Sequence, residues 1–266
     1  MKVLTLGIAT LMMVPAGALK ADVIAYMVTG SDHFGTVDLT TGVYTDTGNM
    51  GHLLAGLGAF GSGLYGALDT ANTIYQVNPA TGALSAITTS GATPSGGWWL
   101  FGSTTTSLYG IDANGVLYSI NPSTGVVTSI GSTGLAIIGN IGLSSGSSTL
   151  YLTENSNYPT LNSSIYTINT GTGSATLFGN TGVGAIGALL FSGGTLYAGQ
   201  TLPSDFVDTV NTTSGVATAG PALTGTTSNF WGLAQLPASS TPEPASLGLV
   251  LFGAAAIFAL QRRFAR

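Results

Sequence analysis

The chain has 266 residues with five Lys or Arg, ten Asp or Glu and no cysteine, for a formal net charge of −5. Charged residues are 6% of it, against about a quarter in an ordinary globular protein, so hydroxyls, amides and backbone must keep the surface wet. All five cations lie towards the ends (Lys2, Lys20, Arg262, Arg263 and Arg266); a middle without them cannot neutralise phosphates, which excludes nucleic acid, and without cysteine it holds neither disulfides nor thiolate metal sites.

Residues 1–21 read as a secretory signal peptide. Met1-Lys2 is the positive start, Val3 to Val14 the apolar run, and Pro15-Ala16-Gly17-Ala18 the small-residue cleavage region, so cleavage is expected after Ala18 or Ala21.

Residues 22–237 read as a repeat domain. One phrase recurs: Val37-Asp38-Leu39-Thr40-Thr41-Gly42, Val77-Asn78-Pro79-Ala80-Thr81-Gly82 and Ile120-Asn121-Pro122-Ser123-Thr124-Gly125. Looser copies are Ile168-Asn169-Thr170-Gly171-Thr172-Gly173 and Val210-Asn211-Thr212-Thr213-Ser214-Gly215. Each is a hairpin turn with an Asx residue capping it and a glycine closing it. Upstream of the turns stand Ala25-Tyr26, Leu64-Tyr65, Leu108-Tyr109, Leu150-Tyr151 and Leu196-Tyr197, most of them preceded by Gly-rich apolar stretches such as Gly56-Leu57-Gly58-Ala59-Phe60. Four short strands in roughly 40 to 45 residues match the period of a β-propeller blade.

The first unit lacks the Gly-rich strand, and Phe230-Trp231-Gly232-Leu233-Ala234-Gln235-Leu236 supplies one at the far end. The expectation is therefore an all-β propeller of five four-stranded blades, closed by pairing the N- and C-terminal strands, which removes the open edge. A linear β-solenoid is the rival, and it would not need complementary end fragments.

Candidate sites follow from this order. Each unit carries an acid after its second strand: Asp32, Asp69, Asp112, Glu154 and Asp205. As a ring on one face these suit Ca²⁺ or a polyhydroxylated ligand; alternatively they only form turns, and Asp112-Ala113-Asn114-Gly115 lacks the later Glu of a calcium loop. Trp98, Trp99 and Trp231 stand at or just before inner strands, where they either stack on sugar rings or pack between blades. His33 and His52 are the only histidines; His33 beside Asp32 is either an acid–base pair or a solvated loop dipeptide. No serine sits in a G-x-S-x-G elbow. No cofactor, Ca²⁺ apart, and no catalytic residue is expected. Asn162-Ser163-Ser164 and Asn211-Thr212-Thr213 fit the glycosylation pattern.

The tail has three parts. A linker, 238–244, contains Thr241-Pro242-Glu243-Pro244, whose prolines oppose regular helix. The uncharged run 245–260 would span roughly 24 Å as a helix, short of a hydrocarbon core of about 30 Å. The basic end, 261–266, carries Arg262, Arg263 and Arg266, which would stay cytoplasmic. By itself this is a transmembrane helix that stops the chain in the membrane.

Pro242-Glu243-Pro244, the Ala/Leu/Gly-rich run and the arginine cluster together resemble the PEP-CTERM sorting signal of exopolysaccharide-producing Gram-negative bacteria. The resemblance covers only the stretch after residue 240, with Thr241 where a valine is frequent and Phe264-Ala265 interrupting the basic end. It implies signal peptidase and an exosortase as processing partners and a transient inner-membrane intermediate. It further implies delivery to the cell surface or extracellular matrix, with exopolysaccharide as a partner. The function expected is a non-enzymatic structural or binding component. The alternatives are a carbohydrate- or Ca²⁺-dependent binding module using the acidic face, and a propeller glycoside hydrolase or lyase with two acids converging in a channel.

Overall fold

A computed structural model of the chain describes residues 22–237 apart from 70, 138–140 and 156–161. One compact unit runs to Gln235; of the second, Leu236–Arg266, only residues 236 and 237 are described. The cleavage sites at Ala18 and Ala21, the 245–260 run and Pro242, Glu243, Pro244, Arg262, Arg263 and Arg266 therefore lie outside the described residues. Within those residues no helix is long and apolar enough to cross a membrane.

Every regular element described is a strand. Blade 1 begins with β1 (Ile24–Thr29), β2 (His33–Asp38) and β3 (Tyr44–Asn49). Blade 2 is β4 (Leu54–Phe60), β5 (Gly63–Leu68), β6 (Ile74–Val77) and β7 (Leu84–Ile87). A two-residue β8 (Ser90–Gly91) precedes blade 3, which is β9 (Trp98–Ser103), β10 (Leu108–Asp112), β11 (Val116–Ile120) and β12 (Val126–Ser132). Blade 4 is β13 (Gly142–Ser145), β14 (Leu150–Glu154), β15 (Ser164–Ile168) and β16 (Ala175–Asn180). Blade 5 is β17 (Ile186–Ser192), β18 (Thr195–Gln200), β19 (Phe206–Val210) and β20 (Ala217–Thr218). The last strand, β21 (Phe230–Ala234), completes blade 1 in the order β21-β1-β2-β3.

The expected closure is therefore present. Antiparallel pairing joins Tyr26 to Ala234, Met27 to Leu233 and Val28 to Gly232. Met27, Val28, Phe230 and Leu233 are all buried, and each such side chain contributes about 1.5–3 kcal/mol. Five blades result, and the linear rival is set aside.

The repeated phrase builds the outer hairpin of each blade. In blade 3, Asn121 Oδ1 accepts from the backbone N–H groups of Ser123 (3.0 Å) and Thr124 (3.2 Å), while Gly125 N–H donates to the Asn121 carbonyl at 2.8 Å. Gly125 has φ 72°, a conformation that glycine takes at no steric cost.

The Gly-rich phrases form the inner strands, which run parallel where they meet: Gly56 opposes Phe101 and Ser144 opposes Leu189. A Cβ on Gly102 would lie 2.4 Å from the Ser144 carbonyl oxygen, and one on Gly232 2.6 Å from the Leu57 nitrogen. Backbones this close leave room for hydrogen only. Ser145 Oγ donates to the Leu57 carbonyl at 2.6 Å, tying blade 4 to blade 2 past the blade between them. At that level blades 2 and 4 are in direct contact.

Candidate functional site

Of the five turn acids, Asp32, Asp69 and Asp205 lie between the second and third strands of their blades, and Asp112 and Glu154 end the second strand. Asp32 adopts φ 63° and offers its carbonyl to Met50 N–H at 2.8 Å. Asp69 donates its N–H to the Leu53 carbonyl at 3.0 Å. Asp112, 1% exposed, is bound into its own blade. Its Oδ1 accepts from Asn114 N–H and Val116 N–H (2.9 Å each), and its Oδ2 from Ser95 N–H (3.0 Å) and the Tyr118 hydroxyl (2.9 Å). Burial and that bond push the Tyr118 hydroxyl up to about 12, because ionising it would place a second negative charge beside the carboxylate. Glu154 is buried, and burial raises the Asp205 carboxyl. Among the described residues no three His, Cys, Asp or Glu side chains gather so as to hold a metal ion.

Of the tryptophans, Trp98 is fully buried between blades 2 and 3 and meets Tyr118 edge-on at 5.6 Å. Trp99 is 38% exposed, and Trp231 is half-buried against Gly30. His52 stacks on Tyr75 at 5.8 Å. Asn162 Oδ1 accepts from Gly182 N–H (3.2 Å) and Asn211 Oδ1 caps its turn through Thr213 N–H (2.8 Å).

His33 has a different partner from its sequence neighbour Asp32. Its Nδ1 lies 3.0 and 2.9 Å from the two carboxylate oxygens of Asp46 on β3. The Tyr44 hydroxyl donates to Asp46 Oδ1 at 3.2 Å. Burial first, and then the Asp46 charge and bond, raise the Tyr44 hydroxyl well above its ordinary range. With Asp46 holding Nδ1–H, the other imidazole nitrogen of the neutral ring is an acceptor.

These groups line an open pocket of about 500 Å³ together with Ser31, Gly225, Thr226 and Thr227. The loop before β21 forms its far wall, held by Tyr44 N–H on the Thr224 carbonyl and Thr224 N–H on the Gly42 carbonyl, both 2.9 Å. Both ends of the repeat array thus build it.

Sequence reasoning missed Tyr44 and Asp46. The signal was available in the repeats: aligned on their Asx turns, β2 of blade 1 carries Gly35 where blades 2, 3 and 4 carry Tyr75, Tyr118 and Tyr166. A Cβ on Gly35 would lie 2.8 Å from the Tyr44 ring and hydroxyl, so the missing side chain makes room for Tyr44.

Comparison with known proteins bears on the fold. No protein-family model matches the chain, and no curated protein is similar to it. A solved chain of a nidogen/laminin complex matches over 81% of this chain and 98% of its own, at TM-score 0.50 and 11% identity. The chain is a β-propeller. A Kuenenia stuttgartiensis hydrazine synthase chain matches over 62% of this one and 47% of its own (TM-score 0.43, 16% identity). The computationally designed Ika4 protein matches over 60% and 92% (TM-score 0.38, 13% identity). At 11% identity the nidogen/laminin likeness speaks to fold alone.

Proposed function

We propose that this propeller is exported, processed by an exosortase at Pro242-Glu243-Pro244, and left at the cell surface or in an exopolysaccharide matrix as a binding or structural component. Export rests on the signal-peptide pattern of residues 1–21 and on the resemblance of the tail to a sorting signal. The binding or structural role is supported by the propeller fold, whose neighbour comes from a complex between proteins.

The observation that carries the role is the open pocket at blade 1, lined by Ser31, His33, Tyr44, Asp46 and residues 225–227. Asp112, one of the acids of the expected ring, is held in four bonds. The His33–Asp46 pair of blade 1, by contrast, stays open to solvent. Intact-mass spectrometry of the protein from a host with the exosortase tests the reading. A mature chain starting at Leu19 or Asp22 and ending near Pro242-Glu243-Pro244 is expected; a surface-exposed chain that keeps its arginine tail contradicts it.

A further inference from the structure

The five blades provide an internal control for the His33 pocket. Register pairs Gly35 with Asp46 in blade 1, Tyr75 with Ala86 in blade 2, Tyr118 with Ser129 in blade 3 and Tyr166 with Leu177 in blade 4. Tyr44, opposite Val37, corresponds to Leu84, Val127, Ala175 and Ala217. At the position of His33, two residues before Gly35, the other blades carry Thr73, Val116, Ser164 and Phe206. The blade therefore folds four times without this trio. Only blade 1 has it, and only blade 1 has a pocket walled by the 225–227 loop.

The lining states what would fit. His33 offers its outer ring nitrogen, an acceptor when the imidazole is neutral, Asp46 a carboxylate, and Ser31, Thr226 and Thr227 hydroxyls that both give and accept. Asp46 is the one formal negative charge in the wall, and all Lys and Arg of the chain lie outside residues 22–237. Phosphate, sulfate and carboxylate groups would meet repulsion without compensation. A volume of about 500 Å³ lies within the range of small-molecule sites and accommodates a sugar ring or two. Trp231 packs against Gly30, one residue from the Ser31 wall, placing an indole beside the rim.

We infer that the blade 1 pocket binds a neutral, polyhydroxylated ligand, a saccharide unit without acidic substituents, through His33 and Asp46. The inference deepens the binding reading and rests on it for the source of the sugar, a neutral stretch of matrix polysaccharide.

The test uses the full chain with ¹⁵N-labelled imidazoles. There are two histidines, and His52, stacked on Tyr75, serves as the internal reference. The probes are the methyl glycosides of glucose, galactose and mannose, with methyl glucuronoside as the anionic counterpart. A neutral glycoside is expected to shift His33 saturably and leave His52 in place, with glucuronoside about tenfold weaker. Asp46→Asn should lose the response with the His52 signals unchanged, which certifies its fold. Thr227→Val, which keeps the His33–Asp46 pair, should weaken it severalfold. No shift of His33 with any neutral glycoside, an equal response to glucuronoside, or an undiminished response in both variants overturns the inference. The binding readout is independent of processing, so its failure and a failure of the export reading are separable.

Discussion

Blades 1 and 3 share a register, an Asx turn and a buried inner strand, yet they use their acids in opposite ways. In blade 3 the carboxylate is Asp112, 1% exposed and saturated by three backbone N–H groups and a tyrosine. In blade 1 the bonded carboxylate is Asp46, 43% exposed, with a histidine that is 39% exposed. A tyrosine serves both, Tyr118 from the third strand and Tyr44 from the fourth. The difference teaches that a polar group turned inward in this fold becomes part of the blade, while one turned to the rim stays available. A repeat protein thus holds buried and open polarity within one chain.

The largest effects are expected where the two blades are alike. Phe230→Ala in blade 1 and Trp98→Ala in blade 3 each remove a fully buried aromatic, and each should cost about 3–5 kcal/mol in urea unfolding. Equal losses would show that the inner strand borrowed from the C-terminal end supports its blade as firmly as a continuous one. A much smaller loss for Phe230→Ala would break that equivalence.

Asp112→Ala separates the blades. It strands the Ser95, Asn114 and Val116 N–H groups, and unsatisfied donors of this kind cost about 1–3 kcal/mol each where buried. A net loss of about 3 kcal/mol is expected, with the Tyr118 titration moving down from about 12 but staying above its ordinary value, because burial, the larger cause, remains.

Blade 5 supplies a third use of an acid, at the third-strand position where blades 2, 3 and 4 carry tyrosine. Asp208, fully buried with Oδ1 accepting from Gly220 N–H at 3.2 Å, has no hydrogen-bond partner for Oδ2 among the described residues. Burial raises its carboxyl above the ordinary value of 3.8, and the Gly220 bond only partly offsets this. The folded state therefore favours the proton. Its stabilising effect is complete below 3.8 and is lost as pH rises through the folded value. Asp208→Asn should raise stability at pH 7 relative to the parent, and the gain should vanish near pH 3; a gain that does not change with pH would refute the assignment.

Much of the fold was legible in the sequence because its signals are local. Asx turns, Leu-Tyr strands and Gly-rich inner strands recur at one period, and the missing strand of unit 1 reappears at residue 230. What the sequence concealed is cross-strand chemistry. His33 sits next to Asp32 along the chain, yet strand alternation and the Phe34/Gly35 bulge bring it to Asp46. The burial of Trp98 against the exposure of Trp99 is likewise a matter of strand facing, and neighbours in sequence gave no hint of which way each points.

The smallest expected effect bears most directly on the central claim, that blade 1 carries polarity its fold does not require. His33→Val with Asp46→Ser installs the residues of blade 3 at the same register. Both side chains are more than a third exposed, and exposed pairs contribute about 0–1 kcal/mol once solvent screening is included. Urea unfolding of this double variant should fall within about 1 kcal/mol of the parent. A loss as large as that of Asp112→Ala would show that the His33–Asp46 pair holds the blade together, and would contradict the account.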